Sequence, residues 1–585
     1  MNMSGKKTKG SAENNIGKWR IMLISSGLML CVGVVGWKAT DLQITKSEFL
    51  QDQGDNRTIR TIPIAANRGL ITDRNGEPLA VSTPVQSIWV DPRRFLESDN
   101  VNEAAQKLAS VLELNGEVLR NRIDENSRKG FLYVKRRIPP AEAQKVLAME
   151  LRGVYAQDEY QRYYPHGEVT AHLVGFSNVD DEGLEGLELT YDHVLKGTPG
   201  ERQVMKEGRG HIIDELKINR NAEPGKDLEL SIDFRLQNLA YRELKAEFLT
   251  RRAKAASVVV LDVDSGEVLA MANQPSYNPH SKSNITDFGV LRNRALTDVF
   301  EPGSTIKAFT IAAALESGLY APSTVVDTHP GWMMVNGHEV NDHGVNYGEL
   351  TVEQVVTKSS NIGSSKIALE IGPEPIRDVL ARVGFGQVSG TGFPGERGGV
   401  LPNHRRWSRI EIATLSYGYG LSSSALQLAQ SYAVIAAGGI KRPVSLLKLD
   451  DESLAATEGE RVIDAKISQQ VLDMLKTVVD RKKGGTAIEA NVPFYSVAGK
   501  TGTAHVVGEF GYEENLHNSL FVGMAPAHDP KIVVVVIVYE PKGDEHFGGQ
   551  VSAPVFSRIV SGAMRILNVA PDVLPPGDAT QLTSR

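Results

Sequence analysis

At 585 residues the chain exceeds what one ordinary hydrophobic core accommodates, and it predicts at least two domains. A formal charge of -7 gives no electrostatic footprint for a nucleic-acid partner. The single cysteine, Cys31, excludes an internal disulfide framework, and its place in an apolar run argues against metal binding or thiol catalysis.

The first predicted element is a membrane anchor. Residues 21–37 are apolar, near the lower length limit for crossing a bilayer, and flanked by Trp19 and Trp37 at interfacial depth. Lys6, Lys7, Lys9, Lys18 and Arg20 precede the run, so the positive-inside rule makes 1–20 a cytoplasmic tail and puts everything after Lys38 outside. Trp37-Lys38-Ala39-Thr40-Asp41 offers no small-x-small cleavage site, which favours an uncleaved anchor over a signal peptide.

Residues 38–225 mix short strand-like and helical patterns and are expected to form a non-catalytic N-terminal domain. Their most distinctive stretch runs from Arg68 to Gly76, where Asn75-Gly76 signals a turn and Arg68 and Asp73 are expected to tie a hairpin. Pro224-Gly225-Lys226 marks a boundary, after which 226–567 read as regular α/β. Residues 257–262 and 267–272 flank a turn as a hairpin, and 532–539 are β-branched like a central strand, with 519–524 pairing nearby. Residues 551–566 form a closing helix, and 568–585 read as a flexible Pro-rich tail. Gly384-Phe385-Gly386 and Gly392-Phe393-Pro394-Gly395 are loop punctuation, and His338, His343 and His517 lack metal-ligand spacing.

Three short motifs carry the chemistry: Ser304-Thr305-Ile306-Lys307, Ser359-Ser360-Asn361, and Lys500-Thr501-Gly502-Thr503. The run from Ser304 to Gly318 predicts a helix, so Ser304 and Lys307, three apart, share a face and the amine can reach the hydroxyl. A serine hydroxyl is a weak nucleophile until a neighbour takes its proton, and a lysine does so only when its pKa falls from about 10.4 toward neutrality. Burial and a nearby cation lower it, and Lys500 is the candidate cation. A strand over 496–504 would put Thr501 and Thr503 on one face, a clamp of ammonium and hydroxyls suited to a substrate carboxylate. Other matches fail on context: Ser4 to Lys7 lies in the polar tail, Ser445 to Lys448 follows Pro443 in a strand-like stretch, and Ser98-Asp99-Asn100 and Ser276-Tyr277-Asn278 precede the candidate nucleophile.

In this order the three motifs resemble the penicillin-binding proteins and serine β-lactamases. With Arg68 to Gly76, Gly548-Gly549 and Ala553-Pro554-Val555-Phe556, the chain is similar to class B penicillin-binding proteins over nearly its whole length. Ser416-Tyr417-Gly418-Tyr419-Gly420-Leu421 followed by Leu426-Gln427-Leu428-Ala429 resembles the FtsI-type, cell-division branch. Ser424-Ala425 and Phe547 depart from the residues usual at those places.

The resemblance implies an α/β (α+β) transpeptidase fold, with a central antiparallel sheet flanked by helices, an elongated N-terminal α+β domain and one transmembrane helix. It implies septal peptidoglycan D,D-transpeptidation through an acyl-enzyme, with Ser304 the nucleophile, Lys307 the base and Ser359 the proton relay. Asn361 would hold the substrate amide, Lys500, Thr501, Gly502 and Thr503 the terminal carboxylate, and the N–H groups of Ser304 and Thr503 the oxyanion. No metal or organic cofactor is needed, β-lactams should acylate Ser304, and a SEDS-type glycan polymerase and other division proteins are the expected partners. The rival readings are an elongation transpeptidase, a serine β-lactamase using Glu396 to activate water, and a penicillin sensor.

Overall fold

The computed structural model describes residues 15–49, 59–206, 212–281, 285–456, 459–508 and 511–573. The first fourteen residues, with the Ser4 to Lys7 match, and the tail beyond 573 lie outside the described residues. Helix α1, Asn15–Thr40, extends past the expected 21–37 at both ends. Trp19–Thr45 is apolar and long enough to cross a membrane, with mean hydropathy 1.8.

The chain divides into two compact units, each assembled from three stretches. The smaller comprises Met1–Ala65, Gln86–Glu159 and Pro199–Glu223. Its core gathers Ile88, Phe95, Leu108, Leu119, Ile123 and Val154. Asn100 and Asn115 cap the helices Val101–Val111 and Gly116–Glu125, accepting hydrogen bonds from their first-turn N–H groups. Ile59–Ile64, Gly200–Lys206 and Ile212–Arg220 form a three-stranded antiparallel sheet.

The larger unit comprises Ala66–Val85, Tyr160–Thr198 and Pro224–Arg585. Within it Asp73 does close the Asn75-Gly76 turn, accepting from the N–H groups of Asn75 and Glu77 at 2.8 Å each. Arg68 does not join that turn, contrary to expectation. Its buried guanidinium donates to Glu188 at 2.7 Å and to Asp192 at 2.7 Å, more than a hundred residues along the chain, while Arg162 donates to the other Glu188 oxygen at 2.6 Å. A fully buried carboxylate needs such compensation, and two guanidinium groups supply it.

The catalytic motifs hang on a five-stranded sheet. Helix α2 (Phe234–Thr250) precedes β1 (Ala255–Asp262) and β2 (Val268–Gln274), the expected hairpin. Helices α3 (Lys307–Glu316), α4 (Val352–Lys358), α5 (Asn361–Ile371) and α6 (Ala425–Ala436) follow. Strands β3 (Ala498–Gly508), β4 (Gly511–Ala525) and β5 (Ile532–Tyr539) and helix α7 (Gly548–Ile566) complete the unit. The order is β2-β1-β5-β4-β3, every pairing antiparallel. All eight residues of β5 are buried, which is why the central strand reads as an unbroken apolar run instead of alternating. Helices α2 and α7 pack on each other and on the sheet, and α6 packs on β1 and β5. Strand β3 lies at the sheet edge, where it can offer one side to a substrate.

Candidate active site

Ser304 lies in a tight 3-10 turn, Gly303–Ile306, and α3 proper begins only at Lys307. The expected helix from Ser304 therefore starts three residues later. Gly303 takes φ +55°, and a Cβ there would lie 3.1 Å from the Thr503 carbonyl, so a glycine is what lets the turn enter beside β3. Gly502 serves the same approach from the other side, since a Cβ there would lie 2.9 Å from the Pro302 carbonyl.

The 416–423 stretch holds this turn in place. Gly418 accepts a hydrogen bond from Gly303 N–H at 3.2 Å, Ser416 accepts from the Thr310 hydroxyl at 2.8 Å, and Gly420 N–H donates to Glu301 at 2.8 Å. Phe300 and Ser423 exchange backbone hydrogen bonds at 3.0 Å. A Cβ at Gly418 would lie 2.1 Å from the Gly303 carbonyl, so that stretch is part of the nucleophile's support.

Lys307 is fully buried, and its Nζ lies 3.0 Å from Ser304 Oγ, 3.2 Å from Ser359 Oγ, 2.5 Å from the Ser359 carbonyl and 2.8 Å from Asn361 Oδ1. Lys500, equally buried, reaches Ser359 Oγ at 2.9 Å and Thr501 Oγ1 at 3.3 Å. Ser359 sits between α4 and α5 in the left-handed region, φ 58° and ψ 37°, a strained place for a serine that turns its hydroxyl and carbonyl toward the two amines.

Burial draws Lys307 well below the ordinary lysine range, the neighbouring Lys500 charge acts in the same direction, and Asp342 opposes both. Burial likewise draws Lys500 down to about 7. The arrangement can therefore present a neutral amine to Ser304 Oγ while leaving a cation beside Thr501.

The structure thus joins Ser304, Lys307, Ser359, Asn361, Lys500 and Thr501 in one hydrogen-bonded cluster. Thr503, half-buried one strand step beyond Gly502, accepts from Gly548 N–H at the start of α7 at 3.2 Å. Thr501 Oγ1 lies 3.1 Å from Thr486 Oγ1, a contact the motif does not reveal.

The main omission of the sequence analysis is Asp342. It is buried, its carboxylate accepts from Ser360 Oγ at 2.5 Å, from Asn361 N–H at 2.5 Å and from Ile362 N–H at 3.1 Å, and it so caps α5. Asn341 at its side accepts from Asn361 Nδ2 at 3.1 Å. Only the Asn341-Asp342-His343-Gly344 turn composition hinted at a loop there, and nothing in it points to α5. Tyr417 also went unassigned; its ring centre lies 5.9 Å from Lys307 Nζ. Glu396, the residue a β-lactamase reading needs, instead accepts from the N–H and hydroxyl of Thr391 in its own loop, at 3.0 and 2.8 Å.

Comparison with known proteins agrees with this geometry. The penicillin binding protein transpeptidase domain matches residues 256–561, and the penicillin-binding protein dimerisation domain matches 63–230. The chain is 43% identical over 561 residues to the probable peptidoglycan D,D-transpeptidase PbpC of Pseudomonas aeruginosa, covering 96% of this chain and 97% of that protein. It is 41% identical over 569 residues to the peptidoglycan D,D-transpeptidase FtsI of Escherichia coli K12, covering 97% and 95%. Among solved structures, penicillin-binding protein 3 of Mycobacterium tuberculosis complexed with aztreonam aligns over 88% of this chain and 99% of its own, with TM-score 0.67 and 28% identity. The chain belongs to the penicillin-binding proteins, in the class B branch of the FtsI type.

Proposed function

We propose that this protein crosslinks peptidoglycan stem peptides during septal wall synthesis, with Ser304 as nucleophile and Lys307 as its base. The observation that carries the assignment of roles is the position of Lys307 Nζ, buried and within 3.2 Å of both Ser304 Oγ and Ser359 Oγ.

As a D,D-transpeptidase the enzyme acts on D-Ala-D-Ala stem peptides and is a target of β-lactams. Ser304 Oγ attacks the penultimate D-Ala carbonyl while its proton passes to neutral Lys307. The oxyanion accepts from the N–H groups of Ser304 and Thr503; losing one such donor typically costs about 3 kcal/mol of transition-state stabilisation. Ser359, between the two lysines, relays the proton to the departing amine, so the C–N bond breaks with release of neutral D-Ala amine and an ester remains on Ser304. An amine of a neighbouring stem peptide then attacks the ester, its proton returns to Ser304 Oγ, and the crosslink forms. Asn361 holds the substrate amide, and Lys500, Thr501 and Thr503 hold the terminal carboxylate; Gly502 keeps that strand close to the nucleophile.

One apolar N-terminal helix among the described residues, together with FtsI-type relatives, makes the protein a single-pass inner-membrane protein. We place the N-terminus in the cytoplasm, the transpeptidase domain at 226–567 outside it, and the preceding 38–225 in a non-catalytic support. A SEDS-type glycan polymerase and the division machinery are the proposed partners, with α1 as the docking element.

Fluorescent penicillin tests the chemistry: wild-type membranes label and Ser304→Ala membranes stay blank, whereas a labelled variant would move the nucleophile elsewhere. Depletion in the native cell tests the context, since filaments without septa support division and round cells support elongation. An exported form lacking residues 1–40 should be acylated yet fail to restore septation; full complementation would reduce α1 to a tether.

A further inference from the structure

A second cleft in the larger unit, of about 300 Å³, shares no lining residue with the catalytic cluster. Its walls are the 384–389 loop, Gln430 of α6, and Lys441 and Arg442, with exposed Glu460 the only carboxylate among the described lining residues.

Its cationic side chains are incompletely satisfied among the described residues. Lys441 is half-buried, yet among the described residues its ammonium makes no hydrogen bond and no ion pair, although its strand pairs with that of Glu460. Burial of the ammonium without a close partner is unfavourable, and Glu460 offsets it only at a distance. The Arg442 guanidinium has one partner among the described residues, the Val263 carbonyl at 3.2 Å. Gly384, at φ +112°, leaves the floor open: a Cβ there would lie 3.5 Å from Lys441 Nζ and 3.6 Å from Gln430 Oε1.

The walls are pre-formed. Buried Gln427 donates through Nε2 to the carbonyls of Gly384 at 3.1 Å, Gln387 at 2.5 Å and Gly398 at 2.6 Å, and Gln430 Nε2 donates to the Arg442 carbonyl at 3.2 Å. A small cavity lined by two cationic residues has the chemistry of an anion receptor.

We propose that this cleft binds a small oxyanion, a phosphoryl or carboxylate group, held by Lys441 and Arg442.

The test uses the full-length protein in detergent, first acylated with penicillin so that the drug's own carboxylate occupies the Lys500 clamp. Calorimetric titration with inorganic phosphate, diphosphate and acetate should give saturable, single-site binding to at least one probe. Phosphates alone would name a phosphoryl ligand, and acetate alone a carboxylate. Lys441→Met should weaken that binding about tenfold or more, the weight of one charge-assisted contact, and Lys441→Arg should retain it. Penicillin labelling reports that the variant is folded; if Lys441→Met fails to label, Glu460→Gln decides, with a severalfold gain in binding expected. Absence of saturable binding to any probe, or equal binding by wild type and a folded cleft variant, overturns the site. Because binding and Ser304 labelling are read separately, failure of the cleft is distinguishable from failure of the catalytic assignment.

Discussion

Lys307 and Lys500 converge on a single hydroxyl, Ser359 Oγ, at 3.2 and 2.9 Å. Two amines that close, both buried, repel by about 3 kcal/mol if both are charged, even at an effective dielectric of about 20. One proton shared between the pair is the favoured state near neutrality, and Lys307 is the member that gives its proton up.

This predicts the pH dependence of acylation. The rate should rise as Lys307 loses its proton, and fall as pH climbs through the Lys500 value of about 7, because the clamp's charge is present below that pKa and lost above it. Lys500→Arg, which stays protonated, should lower the rate but carry the alkaline limb out of the accessible range. Second-order acylation rates with penicillin from pH 5 to 10 read both limbs, and an unmoved alkaline limb in the variant would assign it to another group.

Lys307→Arg keeps a positive charge but supplies no neutral amine. Acylation of Ser304 should drop by about 10³-fold or more, while the melting profile stays cooperative. A folded Lys307→Arg protein acylating near the wild-type rate would exclude Lys307 as proton acceptor.

Asp342→Ala removes the acceptor for Ser360 Oγ and for the N–H groups of Asn361 and Ile362. Losing such a charged cap should cost about 2 kcal/mol or more of stability. Acylation should slow as well, because Ser359 and Asn361 flank the capped residue. Asn at 342, which keeps one acceptor, should be milder on both counts. Urea unfolding with parallel acylation kinetics checks this; wild-type values for Ala would mean that the cap is dispensable.

Arg68→Ala should be among the most damaging changes remote from the catalytic cluster, because it leaves Glu188 and Asp192 short of a guanidinium. Breaking one partner of a buried pair costs about 3–5 kcal/mol. The exposed pair Lys107–Glu103, at 2.8 Å, is the internal control, and Lys107→Ala should change stability by under about 1 kcal/mol. Similar shifts for the two variants would place Arg68 outside the load carried by the fold.

Elements whose causes are local were legible in the chain itself. The pairing of Ser304 with Lys307 follows from spacing three apart on one turn. The 255–274 hairpin and the central strand 532–539 follow from β-branched runs between turns, and α1 from a continuous apolar stretch. Tertiary structure alone decided what lies between segments remote in sequence. Ser359 reaches Lys307 across 52 residues and Lys500 across 141, and it does so from a left-handed backbone that nothing in Ser-Ser-Asn announces. Asp342 meets Ser360 only because the turn after the strand His338–Asn341 folds onto the start of α5, and Arg68 finds Glu188 across 120 residues in place of its own turn. Periodicity records which face of an element is buried, but carries no distance between elements. The lowered pKa of Lys307 depends on that distance and on burial, so the residue could be named from the sequence while its reactivity had to come from the fold.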